Sequence, residues 1–120
     1  MPRVVHFEIT ANDPEQANRF YSDVFGWKIE KWDGPAEYWL ISTGGNTQPG
    51  IDGGLMRREP ATTINTIDVP SVDEYVDKIV ASGGKVVEPK MAIPGIGYLA
   101  YCTDPEGNMF GIMENDPSAQ

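Results

Sequence analysis

Apolar and polar positions first alternate along this chain and then lengthen their period. Val4-Val5-His6-Phe7-Glu8-Ile9-Thr10 puts His6, Glu8 and Thr10 on one face and Val5, Phe7 and Ile9 on the other, the pattern of a half-buried strand. Asp13-Pro14-Glu15-Gln16 then reads as a helix start, with Asp13 as N-cap, Pro14 at the first helical position and Gln16 reaching back as in a capping box. Ala17, Phe20, Tyr21 and Val24 recur at helical spacing and predict a face that packs on a sheet. Gly26 ends the helix, and Trp27-Lys28-Ile29-Glu30 leads into a second strand.

After Pro60 the same pattern returns. Ile64–Val69 reads as a strand, Ser71-Val72-Asp73-Glu74 as a capping box, and Val72, Tyr75, Val76, Ile79 and Val80 as an apolar stripe. Gly83-Gly84 closes that helix before the strand-like Lys85-Val86-Val87-Glu88. Asp13 to Ser71, Gly26 to Gly84 and Glu30 to Glu88 share one offset, 58 residues, so the chain is a duplication. Its last stretch is a hairpin, Tyr98–Thr103 and Met109–Glu114, joined by Asp104-Pro105-Glu106-Gly107-Asn108. A weaker copy stands upstream: Tyr38–Thr43 runs parallel to Tyr98–Thr103, and Gly54-Leu55-Met56 echoes Gly111-Ile112-Met113.

The predicted fold is α+β, a single domain over residues 1–120 made of two βαβββ modules, about 3–58 and about 61–115. One module cannot cover the concave face of its own sheet, so the two are expected to form a curved mixed sheet around a shared cavity. Gly44–Gly53 and Pro89–Gly97, both rich in Gly and Pro, are the expected irregular segments and candidate lids.

Composition narrows the function. Apolar residues at 40% and charged residues at 22% place the chain among ordinary folded proteins rather than disordered ones. A net charge of −9, with no basic run, argues against nucleic acid and becomes informative if some of it lines a cavity, where it favours a cationic ligand. No apolar run reaches membrane length, and the chain enters a strand almost at once with no basic-then-apolar leader, so neither a membrane span nor a secretory signal is expected. Cys102 is the sole cysteine, which excludes an intrachain disulfide framework and suits a cytoplasmic location.

A first-strand His-Phe-Glu-Ile (residues 6–9), a helix running Phe20-Tyr21-x-x-Val24-Phe25-Gly26-Trp27 and the closing Asp-Pro-Glu-Gly-Asn hairpin resemble the vicinal oxygen chelate superfamily. That superfamily holds glyoxalase I, the bleomycin resistance proteins and the extradiol dioxygenases, and the closest pattern is its lactoylglutathione lyase-related branch. The resemblance implies metal ligands on the first and last strand of each module. Carried over, they fall on His6, on Ile64, on or beside Gly54, and on Gly111, and of these only His6 can ligate. Glu8 and Asp68, on the same strand faces, are the alternative donors. No metal and no cofactor are expected. The resemblance also implies a twofold homodimer.

His6 and Glu8, two apart on one strand face, are the candidate catalytic pair, the carboxylate tuning the imidazole. Thr10, Met56, Thr66, Asp68 and Met113 are candidate ligand-binding residues beside them. Tyr38, Trp39, Tyr98 and Tyr101 are candidate stacking walls, but alternation turns only half of each pair inward; Trp39, Tyr98 and Tyr101 complete the expected site. The expected function is that of a glyoxalase-related protein binding or transforming a small organic metabolite. Two other classes compete: sequestration of a cationic small molecule without catalysis, and a structural remnant with no ligand.

Overall fold

The computed structural model describes residues 1–120 and contains eight strands and two helices in an α+β arrangement. In chain order these are β1 (Arg3–Ala11), α1 (Pro14–Phe25), β2 (Lys28–Lys31), β3 (Tyr38–Ser42) and β4 (Gly53–Arg57). There follow β5 (Thr63–Asp68), α2 (Val72–Ala81), β6 (Lys85–Ile93), β7 (Gly97–Thr103) and β8 (Met109–Asn115), so the order strand, helix, three strands occurs twice. Two compact units result, His6–Ile64 and Asn65–Gln120 with Met1–Val5.

In the first unit the strands run β2-β3-β4-β1, with β1 parallel to β4 and the other pairs antiparallel. Glu8 pairs with Gly54 and Thr10 with Met56, while Tyr38 faces Met56 and Leu40 faces Gly54. The other face of these strands carries the core: Ile9, Ala11, Trp39, Ile41 and Leu55, with Ala17 and Tyr21 of α1 packed against them. Leu55 is fully buried, so truncating it to Ala would cost about 2–5 kcal/mol. Asp13 caps α1 by accepting the Gln16 backbone N–H at 3.2 Å, and Gly26 closes it in the left-handed region at φ 72°.

The apolar stripe of α1 is narrower than its spacing predicts. Ala17 and Tyr21 reach the core, whereas Phe20, Val24 and Phe25 are each more than half exposed. Trp27, just past the helix, turns back and stacks on Tyr21 at 5.1 Å, within 5.8 Å of the Phe7 ring, and so covers the sheet where the last helical turn would.

The second unit repeats the plan as β5-β8-β7-β6, with β5 parallel to β8. Its core is Val69, Val72, Ala100 and Ile112, against which Ile67, Tyr75, Val76, Ile79, Tyr98 and Phe110 pack. Ser71 caps α2 on the Glu74 N–H at 3.1 Å, and the Glu114 carboxylate takes the Val72 N–H at 3.0 Å, so two of the helix's unpaired donors are satisfied. The closing turn is held by Asp104, which accepts from the backbone N–H groups of Glu106 and Asn108 at 2.9 Å each.

One of the two expected irregular segments is a strand. β6 continues through Pro89 to Ile93, leaving only Pro94-Gly95-Ile96 as the turn. It can do so because it is an edge strand whose register breaks between Glu88 and Met91, where Pro89 needs no ladder partner. Thr43–Asp52 is irregular, as its Gly and Pro content predicts.

The registers also correct the internal match of the third strands. Glu8 and Thr66 occupy equivalent places, opposite Gly54 and Gly111. Across those glycines stand Leu40 and Tyr101, so Leu40 corresponds to Tyr101, Trp39 to Ala100 and Tyr38 to Leu99. Matching Tyr38 to Tyr98 is one residue out of step, and a one-residue slip exchanges the two faces of a strand.

Candidate functional site

Away from α1, the face of the first unit presents His6, Glu8, Thr10, Tyr38, Leu40 and Met56 together. The Tyr38 hydroxyl stands between the two charged-type groups: it donates to Glu8 Oε2 at 2.8 Å and lies 3.0 Å from His6 Nε2. Glu8 is buried, only 5% exposed, whereas His6 and Tyr38 are half-buried. Every buried side-chain polar atom of the protein has a hydrogen-bond partner, so this is a completed network rather than a strained one.

The glycine at position 54 is what admits the phenol. A Cβ built there would overlap the Tyr38 hydroxyl and ring. Trp32 supports the other side, its ring edge-on to Tyr38 at 6.4 Å and 80°, and its backbone N–H bonded to the Tyr38 carbonyl at 2.8 Å. Burial depresses the His6 pKa below its ordinary value of 6.5, opposed by the negative charges of Glu8 and Asp52. The imidazole is therefore mainly neutral at pH 7 and free to accept a proton.

The other expected residues divide by face. Met56 lies on the His6 side next to Tyr38. Thr10 is there as well but is committed to the backbone: its hydroxyl donates to the Pro60 carbonyl at 2.8 Å and accepts from the Thr62 N–H at 2.8 Å. Trp39, expected as a ligand wall, is on the opposite face in the core with Leu55 and Ile41. In the second unit Thr66, Asp68, Tyr101 and Met113 share the face of Gly111. Asp68 accepts from Asn115 Nδ2 at 3.2 Å, and Tyr101 is buried. Tyr98, also expected on that face, packs on the α2 side, with the Lys90 ammonium 4.6 Å over its ring. Tyr38, one of the four candidate walls but left out of the expected site, is the residue at its centre. The echo of Gly54 in Gly111 marks the equivalent positions in the sequence, but it is the strand pairing at those glycines that turns Tyr38 inward.

The donor set does not fit a divalent ion held by the first and last strands. Gly54 offers no ligand, and the volume a ligand there would use is filled by Tyr38. Nowhere do three His, Cys, Asp or Glu side chains converge in a metal-binding group. A hollow of about 410 Å³ opens elsewhere, between Asn12, Gln16, Phe20 and Ala61 at the start of α1. Its one carboxylate, Asp13, is engaged as the helix cap, so the chemistry gathers at His6 instead.

A model of the Glyoxalase/Bleomycin resistance protein/Dioxygenase superfamily matches residues 3–112. Two curated proteins named "Putative glyoxylase CFP32", from Mycobacterium bovis and Mycobacterium tuberculosis, are each 29% identical over 119 residues, covering 89% of this chain and 43% of their own. The chain thus spans less than half the length of those relatives. Among solved structures, the hypothetical protein BH1468 of Bacillus halodurans C-125 superposes with a TM-score of 0.70 at 14% identity, over 99% of this chain and 98% of that one. Methylmalonyl-CoA epimerase from Mycobacterium tuberculosis gives 0.67 at 16% identity, over 94% and 87%. A Streptomyces coelicolor methylmalonyl-CoA epimerase in complex with 2-nitronate-propionyl-CoA gives 0.68 at 13% identity, over 98% and 97%. At these identities the likeness is one of fold.

Proposed function

The chain belongs to the Glyoxalase/Bleomycin resistance protein/Dioxygenase superfamily, and we propose that it binds and transforms a small carbonyl-bearing metabolite at the His6 face without a divalent metal. The observation that carries this reading is the Tyr38 hydroxyl, bonded to both His6 and Glu8 in the space a residue-54 ligand would occupy. A neutral imidazole above a buried carboxylate can take a proton from a carbon next to a carbonyl and return it, the work of a general base. Likeness to proteins named glyoxylase and methylmalonyl-CoA epimerase supports the carbonyl class.

A second reading rests on charge. The net −9, with Glu8 and Asp52 both acting on His6, favours a cationic guest held without chemistry. Either way a twofold homodimer is the expected assembly, supported by the exposed Phe20, Val24 and Phe25 on α1. No helix is long and apolar enough to cross a membrane.

His6 is the sole histidine, so its ring C–H resonance reports on this face alone. Small hydroxy- and keto-metabolites added in the presence of chelator should shift it saturably. A response to planar cations alone would favour the second reading, and a response that requires added zinc, nickel or manganese would overturn the metal-free one.

A further inference from the structure

We propose that Tyr38 is the positioning residue of this site: its phenol fixes the His6 proton on Nε2, leaves Nδ1 as the basic nitrogen, and links the imidazole to the buried Glu8 carboxylate. A phenol carries a single hydrogen, and an ionised carboxylate can only accept. The 2.8 Å bond to Glu8 Oε2 therefore uses the Tyr38 hydrogen, and the 3.0 Å contact with His6 requires Nε2 to donate to the phenol oxygen. A neutral imidazole has one N–H, so Nδ1 holds the lone pair.

When Nδ1 takes a proton, the new positive charge faces Glu8 along a continuous chain, Nε2–H to the Tyr38 oxygen and its O–H to Oε2. Glu8 is 5% exposed, so the chain ends on a buried carboxylate whose charge opposes, without outweighing, the effect of burial on the ring. The phenol's place is enforced from both sides, by Gly54 beneath it and the Trp32 edge beside it.

An internal comparison within the chain supports the assignment. In the second strand-helix-three-strand repeat the positions of His6, Glu8 and Tyr38 are taken by Ile64, Thr66 and Leu99. All three members of the chain are present in one repeat and all three are replaced in the other. Where they are replaced, the glycine seats no such group: a Cβ on Gly111 would meet Leu99, Thr66 and Tyr101 at an ordinary contact distance of 3.5 Å, without overlap.

The proposal uses the functional reading above only for what the basic nitrogen does; the tautomer itself is testable without any ligand. In uniformly ¹⁵N-labelled, ligand-free protein above pH 7, the single histidine should show a protonated, pyrrole-like Nε2 and a pyridine-like Nδ1. Tyr38→Phe, which keeps the ring over Gly54, should collapse this toward the averaged pattern of a free imidazole while the melting profile stays cooperative. A wild-type spectrum with the proton on Nδ1 overturns the proposal whether or not the variant folds, and so does a Tyr38→Phe spectrum that keeps the wild-type pair of shifts. Failure to find a substrate would bear on the functional reading alone.

Discussion

Replacing Gly54 by Ala is the smallest change that attacks the site without touching any of its polar groups. The added methyl overlaps the Tyr38 hydroxyl and ring, so the phenol must swing away and give up its bonds to Glu8 and His6. Withdrawing a donor from the buried Glu8 carboxylate costs about 1.5–3 kcal/mol, and the neutral bond to His6 about 0.5–1.5 kcal/mol more. Against this stands a gain of about 0.5–1 kcal/mol for exchanging Gly with Ala in a strand. The expected net loss is thus about 1–4 kcal/mol, on the order of 4–16 °C in melting temperature for a chain of this size. Gly111→Ala is the control, because its Cβ would sit at ordinary van der Waals distance, 3.5 Å, from its neighbours; it should be neutral or slightly stabilising. Urea and thermal melts of both variants, with Gly54→Ala repeated in a Tyr38→Ala background, give the coupling directly. Equal costs for the two glycine variants, or additivity of Gly54→Ala with Tyr38→Ala, would refute the claim that the glycine exists to seat the phenol.

Other outcomes follow from the same geometry. Trp39→Ala should cost about 3–5 kcal/mol in a chemical melt because Trp39 lies in the core, whereas Leu40→Ala, at a residue 49% exposed, should cost well under 1 kcal/mol; the reverse order would return Trp39 to the ligand face. Thr10→Val should lose about 1–3 kcal/mol by stranding the Pro60 and Thr62 backbone groups, and should leave the His6 resonance in place. The folded pKa of His6 lies below the 6.5 of the unfolded chain, so the unfolded state binds more protons as the pH falls. The stability tied to His6 is therefore complete above about pH 6.5 and lost as the pH drops through the lower folded value; denaturant midpoints across pH 5–8 should show that slope in wild type and not in His6→Ala.

Most of the fold was legible because duplication writes the same caps and stops twice. Asp13 and Ser71 cap their helices as their sequence context predicts, and the Asp104–Asn108 turn closes the last hairpin. The failures share one cause, which is that strand identity is easier to read than strand register. Alternation shows that Tyr38 and Trp39 face opposite ways, as do Tyr98 and Leu99, but not which of each pair turns inward, and the expected site took Trp39 and Tyr98, which lie on the core side, and left out Tyr38. Pairing of each third strand with its glycine, Gly54 or Gly111, settles the face, and that pairing exists only in three dimensions. Pro89 misled for a related reason, since its exclusion from strands does not extend to an edge strand with a broken register. Phe20 and Val24 misled because Trp27, from outside the helix, covers the ground they were expected to cover.

On the reading proposed above, the His6 face moves protons on a carbonyl-bearing molecule without a metal. Solvent deuterium incorporation tests it most directly: small carbonyl metabolites incubated in D₂O with chelator-treated protein, read by the loss of their carbon-bound proton signal. Exchange that saturates with metabolite, persists in chelator, and falls by two orders of magnitude or more in His6→Ala is the predicted result, in line with the roughly 10²–10⁴-fold contribution of a general base. Exchange that vanishes with chelator and returns with a divalent ion, or that survives undiminished in His6→Ala, would contradict it.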